Sequence, residues 1–154
     1  MKAEYINPFL VGTQRALQGV CGYEGSLGKV SMTTPPYAPD EVAVIIGFSG
    51  DLKGEVIYTM NEDCGIYLAS KFMVGFNVEK MDELAQSSIM ELANIISGNA
   101  ANALFSHGLK VNITPPTYVK GSDALTFVKP TSKLLCMPIN IEGERVFKLD
   151  LHFA

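Results

Sequence analysis

Ser87-Ser-Ile-Met-Glu91-Leu-Ala-Asn94-Ile-Ile-Ser-Gly98 reads as the middle of a helix whose two sides have opposite characters. At about 100° per residue, one stripe collects Ser87, Glu91, Asn94 and Gly98. The other side gathers Ala85, Ile89, Leu92, Ala93, Ile96, Ala100, Ala103 and Leu104, an apolar band that must face a core. A stripe turned to water ordinarily carries several Lys and Glu, which favour the helix and pair at i,i+4. Here Glu91 is the only charge between Leu84 and Leu109, His107 aside. Ala101 and Asn102 continue the stripe, with Met90, Ile95 and Phe105 at its flanks. A lone carboxylate, with an amide one turn on and no charge around it, suits a surface that another molecule covers.

The whole of this helix is predicted to span roughly 79–106, with Gly108 ending it. A first helix is predicted over 4–19, with Pro8 tolerable only in its first turn. A glycine-rich connection, a short strand over 29–34 and the prolines Pro35, Pro36 and Pro39 follow. Residues 42–48 form a nearly continuous Val/Ile run, the pattern of a central strand buried on both faces, and 55–60 return as its hairpin partner. Asn61 or Asp63 can cap a second helix running to about Val74, with Gly75 closing it. Strands are predicted over 109–113, 118–120, 134–141 and 145–153, the last two with clear alternation. Pro138 hints at an edge position or a bulge. Each half is therefore a helix followed by a strand meander. The expected fold class is α/β (α+β): a loose pseudo-repeat whose central, largely antiparallel sheet is packed by two long helices.

A chain of 154 residues is read as a single domain, 1–154, with a core of its own. Its net charge of -4 lacks any basic cluster, so no nucleic acid is expected as a partner. No apolar run approaches the ~20 residues of a membrane span and no secretory signal is visible, so no membrane and a cytoplasmic location are expected. Cys21, Cys64 and Cys136 form no C-x-x-C pair and read as structural thiols. His107 and His152 lack neighbours at ligand spacing, so no metal site is expected on this chain.

Neither Glu91 nor Asn94 is a strong nucleophile, and one carboxylate is too few for paired-carboxylate hydrolysis. An amide does suit a positioning role, in which it accepts a hydrogen bond from a water while donating another and so holds that water in line with a phosphorus atom. Such a residue must enter another protein's site, which fits an exposed helix with Gly98 allowing close approach.

The pattern Ser87-x-x-x-Glu91-x-x-Asn94, continued by Ile-Ile-Ser-Gly-Asn-Ala and later Val-Asn-Ile-Thr-Pro-Pro-Thr, resembles the CheC/CheX/FliY family of chemotaxis phosphatases. Pro115 and Pro116 lie 21 and 22 residues beyond Asn94, near the interval at which that family's motif ends in proline. Also family-like are Ile6-Asn-Pro-Phe9, Gly47-Phe-Ser-Gly50 with Gly54-Glu-Val-Ile-Tyr58, and Met81-Asp-Glu-Leu-Ala85. The resemblance spans nearly the whole chain, and a single complete motif looks like the family's CheX branch. It implies a CheC-like fold and removal of phosphate from a CheY-type response regulator. By the same resemblance Asn94 would orient the hydrolytic water and Glu91 would link to the regulator's active-site lysine. Ser87, with Gly98, would shape the contact. It also implies no cofactor bound by this chain, Mg2+ held by the partner receiver domain, and a homodimer; the strand-rich termini and the 42–48 run are compatible with pairing across subunits.

Two other readings stay open: a non-catalytic CheX-like adaptor that only binds a receiver, and an unrelated small-ligand-binding dimer whose subunit interface is the stripe. Glu4 and Asn7 repeat the Glu91–Asn94 spacing, but no residue of the sequence stands four places before Glu4 to complete the motif. A polar helix start is the expectation there.

Overall fold

The Val/Ile run becomes a nine-residue strand, Val42–Gly50, hydrogen-bonded along both edges. The computed structural model describes residues 2–34, 40–120, 123 and 133–154; the expected break at Pro35, Pro36 and Pro39 lies outside them. In chain order come α1 (Ala3–Cys21), β1 (Ser26–Leu27), β2 (Ser31–Thr33), β3 (Val42–Gly50), β4 (Gly54–Met60), α2 (Glu62–Phe72) and α3 (Glu83–Ser106). Then follow β5 (Val111–Ile113), β6 (Thr117–Lys120), β7 (Leu134–Ile141), a 3-10 turn (Glu142–Glu144) and β8 (Arg145–Phe153).

All pairings are antiparallel, in the order β1-β7-β8-β4-β3-β5, with β2 also on β7 and β6 also on β3. This order has a pseudo-two-fold. β4 and β8 form the centre, each flanked by its own hairpin partner, β3 or β7, and each partner carries two short strands at the rim. The predicted pseudo-repeat is thus realised in the topology. Because β3 already bonds β4 on one edge and β5 and β6 on the other, it has no edge to offer a second subunit, contrary to the expectation for 42–48.

The helices cover one face of the sheet. Alternate residues Val44, Ile46 and Phe48 of β3, Val56, Tyr58 and Met60 of β4, and Phe147, Leu149 and Leu151 of β8 pack beneath them. Phe9 of α1 packs at a tilt against Phe48, and Phe48 meets Phe153 edge to face, each at 5.6 Å between ring centroids. α1 crosses α3 where Gly12 meets it: a Cβ on Gly12 would lie 3.2 Å from the Ile96 carbonyl oxygen. The opposite face of the sheet buries Ala43, Ile45, Ile57 and Leu134, so β3 is covered on both sides as its sequence predicts.

Two local expectations need correction, and the alternative left open at Pro138 is decided. Pro8 is the sixth residue of α1, beyond the first turn, and its missing N–H leaves the Glu4 carbonyl without that helical partner. The long helix begins at Glu83 and not near 79, because the Asp82 side chain accepts from the Ala85 N–H (2.9 Å) and caps it there. Pro138 is not on the outermost strand; it pairs with Lys148 of β8 inside the sheet, and a bulge lies opposite it, where residues 28–30 face only residues 137–138 between the pairs Leu27–Ile139 and Ser31–Cys136. The strand on its other side is interrupted there: β1 ends at Leu27, β2 starts at Ser31, and Gly28 donates its N–H to the Pro138 carbonyl at 2.8 Å. That is how an N–H-less residue is accommodated in an inner strand.

Gly54, where β4 begins, has no room for a side chain, since a Cβ there would strike the His152 carbonyl oxygen of β8. Gly54→Ala should therefore lower unfolding free energy by about 3 kcal/mol, read from the urea midpoint. A loss below ~0.5 kcal/mol would contradict this β4–β8 packing.

Candidate active site

α3 is fixed from inside before its outer face matters. Ala85, Ile89, Leu92, Ala93, Ile96, Ala100 and Leu104 are all buried, as the periodicity predicts. Ala103 alone of the predicted band is half-exposed, because it lies toward the C-terminal end, beside a groove along α1. Beneath the helix, Tyr58 Oη and Ser97 Oγ share a buried hydrogen bond of 2.7 Å. Burial raises the Tyr58 phenol above its ordinary range, so it remains a neutral hydrogen-bonding group. Ser97 stands three residues beyond Asn94, so this bond ties the register of the outward stripe to β4. The caps hold the ends: Asp82 at the start, and Leu109 N–H on the Leu104 carbonyl at the finish, with Gly108 at φ 86°.

The four predicted stripe residues come out together on the far side. Ser87 and Glu91 are exposed, Asn94 and Gly98 half-buried. At i, i+3 spacing the Glu91 and Asn94 Cβ atoms lie about 5–6 Å apart. Among the described residues neither side chain makes a hydrogen bond or ion pair within the chain. A Cβ built on Gly98 meets nothing within 4 Å. The flanks divide: Met90 packs partly against the core, whereas Ile95 and Phe105 remain exposed, and Leu84, which periodicity alone does not single out, joins them.

Pro115 and Pro116 lie in the β5–β6 connection. Thr114 fastens that connection to β3, its Oγ1 accepting from the Gly47 N–H and its own N–H donating to the Gly47 carbonyl, both at 2.9 Å. The α1 echo sits in a different setting. Glu4 is 3.9 Å from Lys2, and Glu4 and Asn7 line a groove of about 420 Å³ with Arg15 and His107. Glu4 thus has a cation at hand, which Glu91 has not.

The thiols behave as structural groups. Burial pushes Cys64 up to about 12, against a smaller opposing pull from Arg145; Cys136 is raised to about 12 by burial and by Asp150. Among the described residues no three His, Cys, Asp or Glu side chains converge as a metal site. What the stripe offers chemically is an unpaired carboxylate for a cation and an amide able to hold a water, on a helix with no other charge from Leu84 to Ser106.

Residues 42–140 match the family described as Chemotaxis phosphatase CheX. A CheY-P phosphatase CheX of Thermotoga maritima is 32% identical over 154 residues, covering 100% of this chain and 97% of that protein. A CheC-like superfamily protein from Shewanella sp. PV-4 superposes with a TM-score of 0.85 at 25% identity, over 100% of this chain and 99% of the other. A chain from the CheX-CheY-BeF3-Mg2+ complex of Borrelia burgdorferi does so with a TM-score of 0.79 at 24% identity, over 97% of each.

Because nothing inside the fold uses Asn94 or the gap at Gly98, stability should not depend on them. Asn94→Ala is expected to stay within about 0.5 kcal/mol of the parent, and Gly98→Ala to gain roughly 0.5–1 kcal/mol from helix propensity. Thermal or urea unfolding checks both, and a marked loss in either would show that the fold itself uses the stripe.

Proposed function

The chain belongs to the CheX family of chemotaxis phosphatases, and we propose that it hydrolyses the aspartyl phosphate of a CheY-type receiver domain through Glu91 and Asn94. The observation that carries this reading is the pair itself: a carboxylate and an amide one turn apart, outward-facing and without partners, on a helix whose rotation the core fixes. Full-length kinship to a CheY-P phosphatase supports the substrate.

In this mechanism α3 lies across the receiver's phosphorylation site. Glu91 accepts from the receiver's active-site lysine, which registers the two proteins. Asn94 enters the site, accepts a hydrogen bond from a water with its carbonyl, and holds that water opposite the acyl–phosphate bond. The water oxygen bonds to phosphorus as the bond to the aspartyl oxygen breaks. Inorganic phosphate leaves, the receiver's carboxylate is regenerated, and the water's proton passes to solvent. The receiver's own acidic pocket would hold Mg2+, which would supply charge stabilisation at the phosphoryl oxygens. Ser87 and Gly98 shape the contact, the glycine by leaving room for the partner's backbone.

Membership of this family also supports a cytoplasmic setting, where a phosphorylated receiver is found. No helix among the described residues is long and apolar enough to cross a membrane. A homodimer remains part of the proposal, and its candidate seam is the sheet rim at β1 and β2, where Leu27, Val30 and Met32 stay exposed.

Asn94→Ala should slow hydrolysis of phosphorylated receiver by about 10²-fold or more, a barrier increase of ~2.7 kcal/mol, while binding stays close to the parent's. Glu91→Ala should weaken the complex as well as slow turnover. Phosphate release from a radiolabelled receiver, with affinity measured separately, distinguishes the two. Binding with no acceleration by the parent protein would instead mark an adaptor.

A further inference from the structure

Leu84, Glu91 and Ile95 stand at i, i+7 and i+11 on α3, within about 40° of one another around its axis. Leu84 is about 10 Å along the helix before Glu91, and Ile95 about 6 Å beyond it. Leu84 is 53% exposed and Ile95 37%, whereas Ile89, Leu92, Ile96 and Leu104 of the same helix are all at 1% or below. Nothing in the fold asks for large hydrophobic residues at these two places. A lysine or glutamine favours a helix more than isoleucine does and would be better hydrated.

We propose that Leu84 and Ile95 form an apolar collar around Glu91, seating on the receiver domain and excluding water from the ion pair between Glu91 and the receiver's lysine. The inference rests on the receiver reading given above and adds what makes that single ion pair effective. A pair left in water is weak and screened over a Debye length of ~8 Å at physiological salt; with water excluded, the same pair is stronger and less sensitive to salt. The arrangement follows the usual build of an interface, with apolar anchors at the centre and few charges. The complementary charge fixes the occupant. Glu91 has no cation among the described residues of its own chain, so the collar suits a partner that brings one. A second copy of this chain suits it poorly, because a two-fold contact centred on the stripe would set Glu91 against its own counterpart.

The test uses a CheY-type receiver that the parent protein dephosphorylates, loaded with Mg2+ and beryllofluoride as a stable phosphoryl mimic. Its affinity is measured by fluorescence anisotropy at about 50 mM and about 300 mM salt. Leu84→Gln and Ile95→Gln keep helix propensity, and circular dichroism confirms that each folds. Both should raise Kd about 10-fold at low salt and lose affinity more steeply than the parent as salt rises. kcat at saturating receiver should stay within about twofold, since neither residue handles the water. Val74→Gln, an exposed apolar residue just beyond α2, should leave receiver affinity and its salt slope unchanged. Unchanged affinity and salt slope in both collar variants would overturn the proposal while leaving the phosphatase reading intact. A variant that alters sedimentation mass but not receiver affinity would assign the face to self-association and overturn it too. A parent protein that neither binds nor dephosphorylates any receiver would instead remove the reading on which the collar rests.

Discussion

Ile89, Leu92, Ile96 and Leu104 sit at 1% exposure or less between α3 and the sheet, and their burial sets how α3 is turned about its own axis. Full burial of four such side chains is worth roughly 6–12 kcal/mol in transfer free energy, an upper figure because an unfolded chain already hides some apolar surface. An exposed hydrogen bond or ion pair made by Glu91 or Asn94 inside the chain would contribute at most about 1 kcal/mol. The core therefore decides the orientation, and the polar pair follows it outward. The Tyr58–Ser97 bond adds direction to this otherwise non-directional contact, because a helix that slid along the sheet would break it and strand two buried hydroxyls.

A helix optimised only for its own fold would not carry this outer face. Gly98 in the middle of α3 costs about 1 kcal/mol relative to alanine, and the empty space around it shows that no neighbour requires it. Asn94 is a poor helix former with no cap or turn to make here. Leu84 and Ile95 leave apolar surface in water. Each departs from local preference in the same region, and such clustering marks a surface shaped by a partner.

Much of this is legible from residue spacing. The 3.6-residue period places the buried apolar side of α3, Ala103 excepted, and the two-residue period places β7 and β8, because burial on one face leaves an alternation that nothing else produces. The buried run of β3 announces an inner strand for the same reason. What the pattern hides are local hydrogen-bond choices. Met81 and Val78 fit a helical period, yet Asp82 takes the N-cap and the segment before it stays non-helical. Pro8 and Pro138 show only their intrinsic restrictions in the sequence, whereas the fold leaves the Glu4 carbonyl without its i+4 N–H partner and interrupts a neighbouring strand opposite β7. Within the stripe, Ser87, Glu91, Asn94 and Gly98 emerge on one surface as expected. Leu84 escapes a reading by period because a hydrophobic residue in the first turn of a helix ordinarily packs inward, and only its exposure reveals otherwise.

The pseudo-two-fold sheet has a consequence for how the chain reaches its native state. Its central seam joins β4 to β8, with Ile57 opposite Asp150, so strands almost a hundred residues apart in sequence must meet before the middle of the sheet exists. Contacts that distant carry a large loop-closure cost and slow the search. On the ribosome the β3–β4 hairpin and α3 emerge early but lack the strand that completes their floor, and Val56 and Tyr58 await Leu149 and Leu151. Until β8 arrives, the nascent chain presents an unpaired, strongly apolar strand edge, the kind of surface that chaperones recognise and that aggregates form upon.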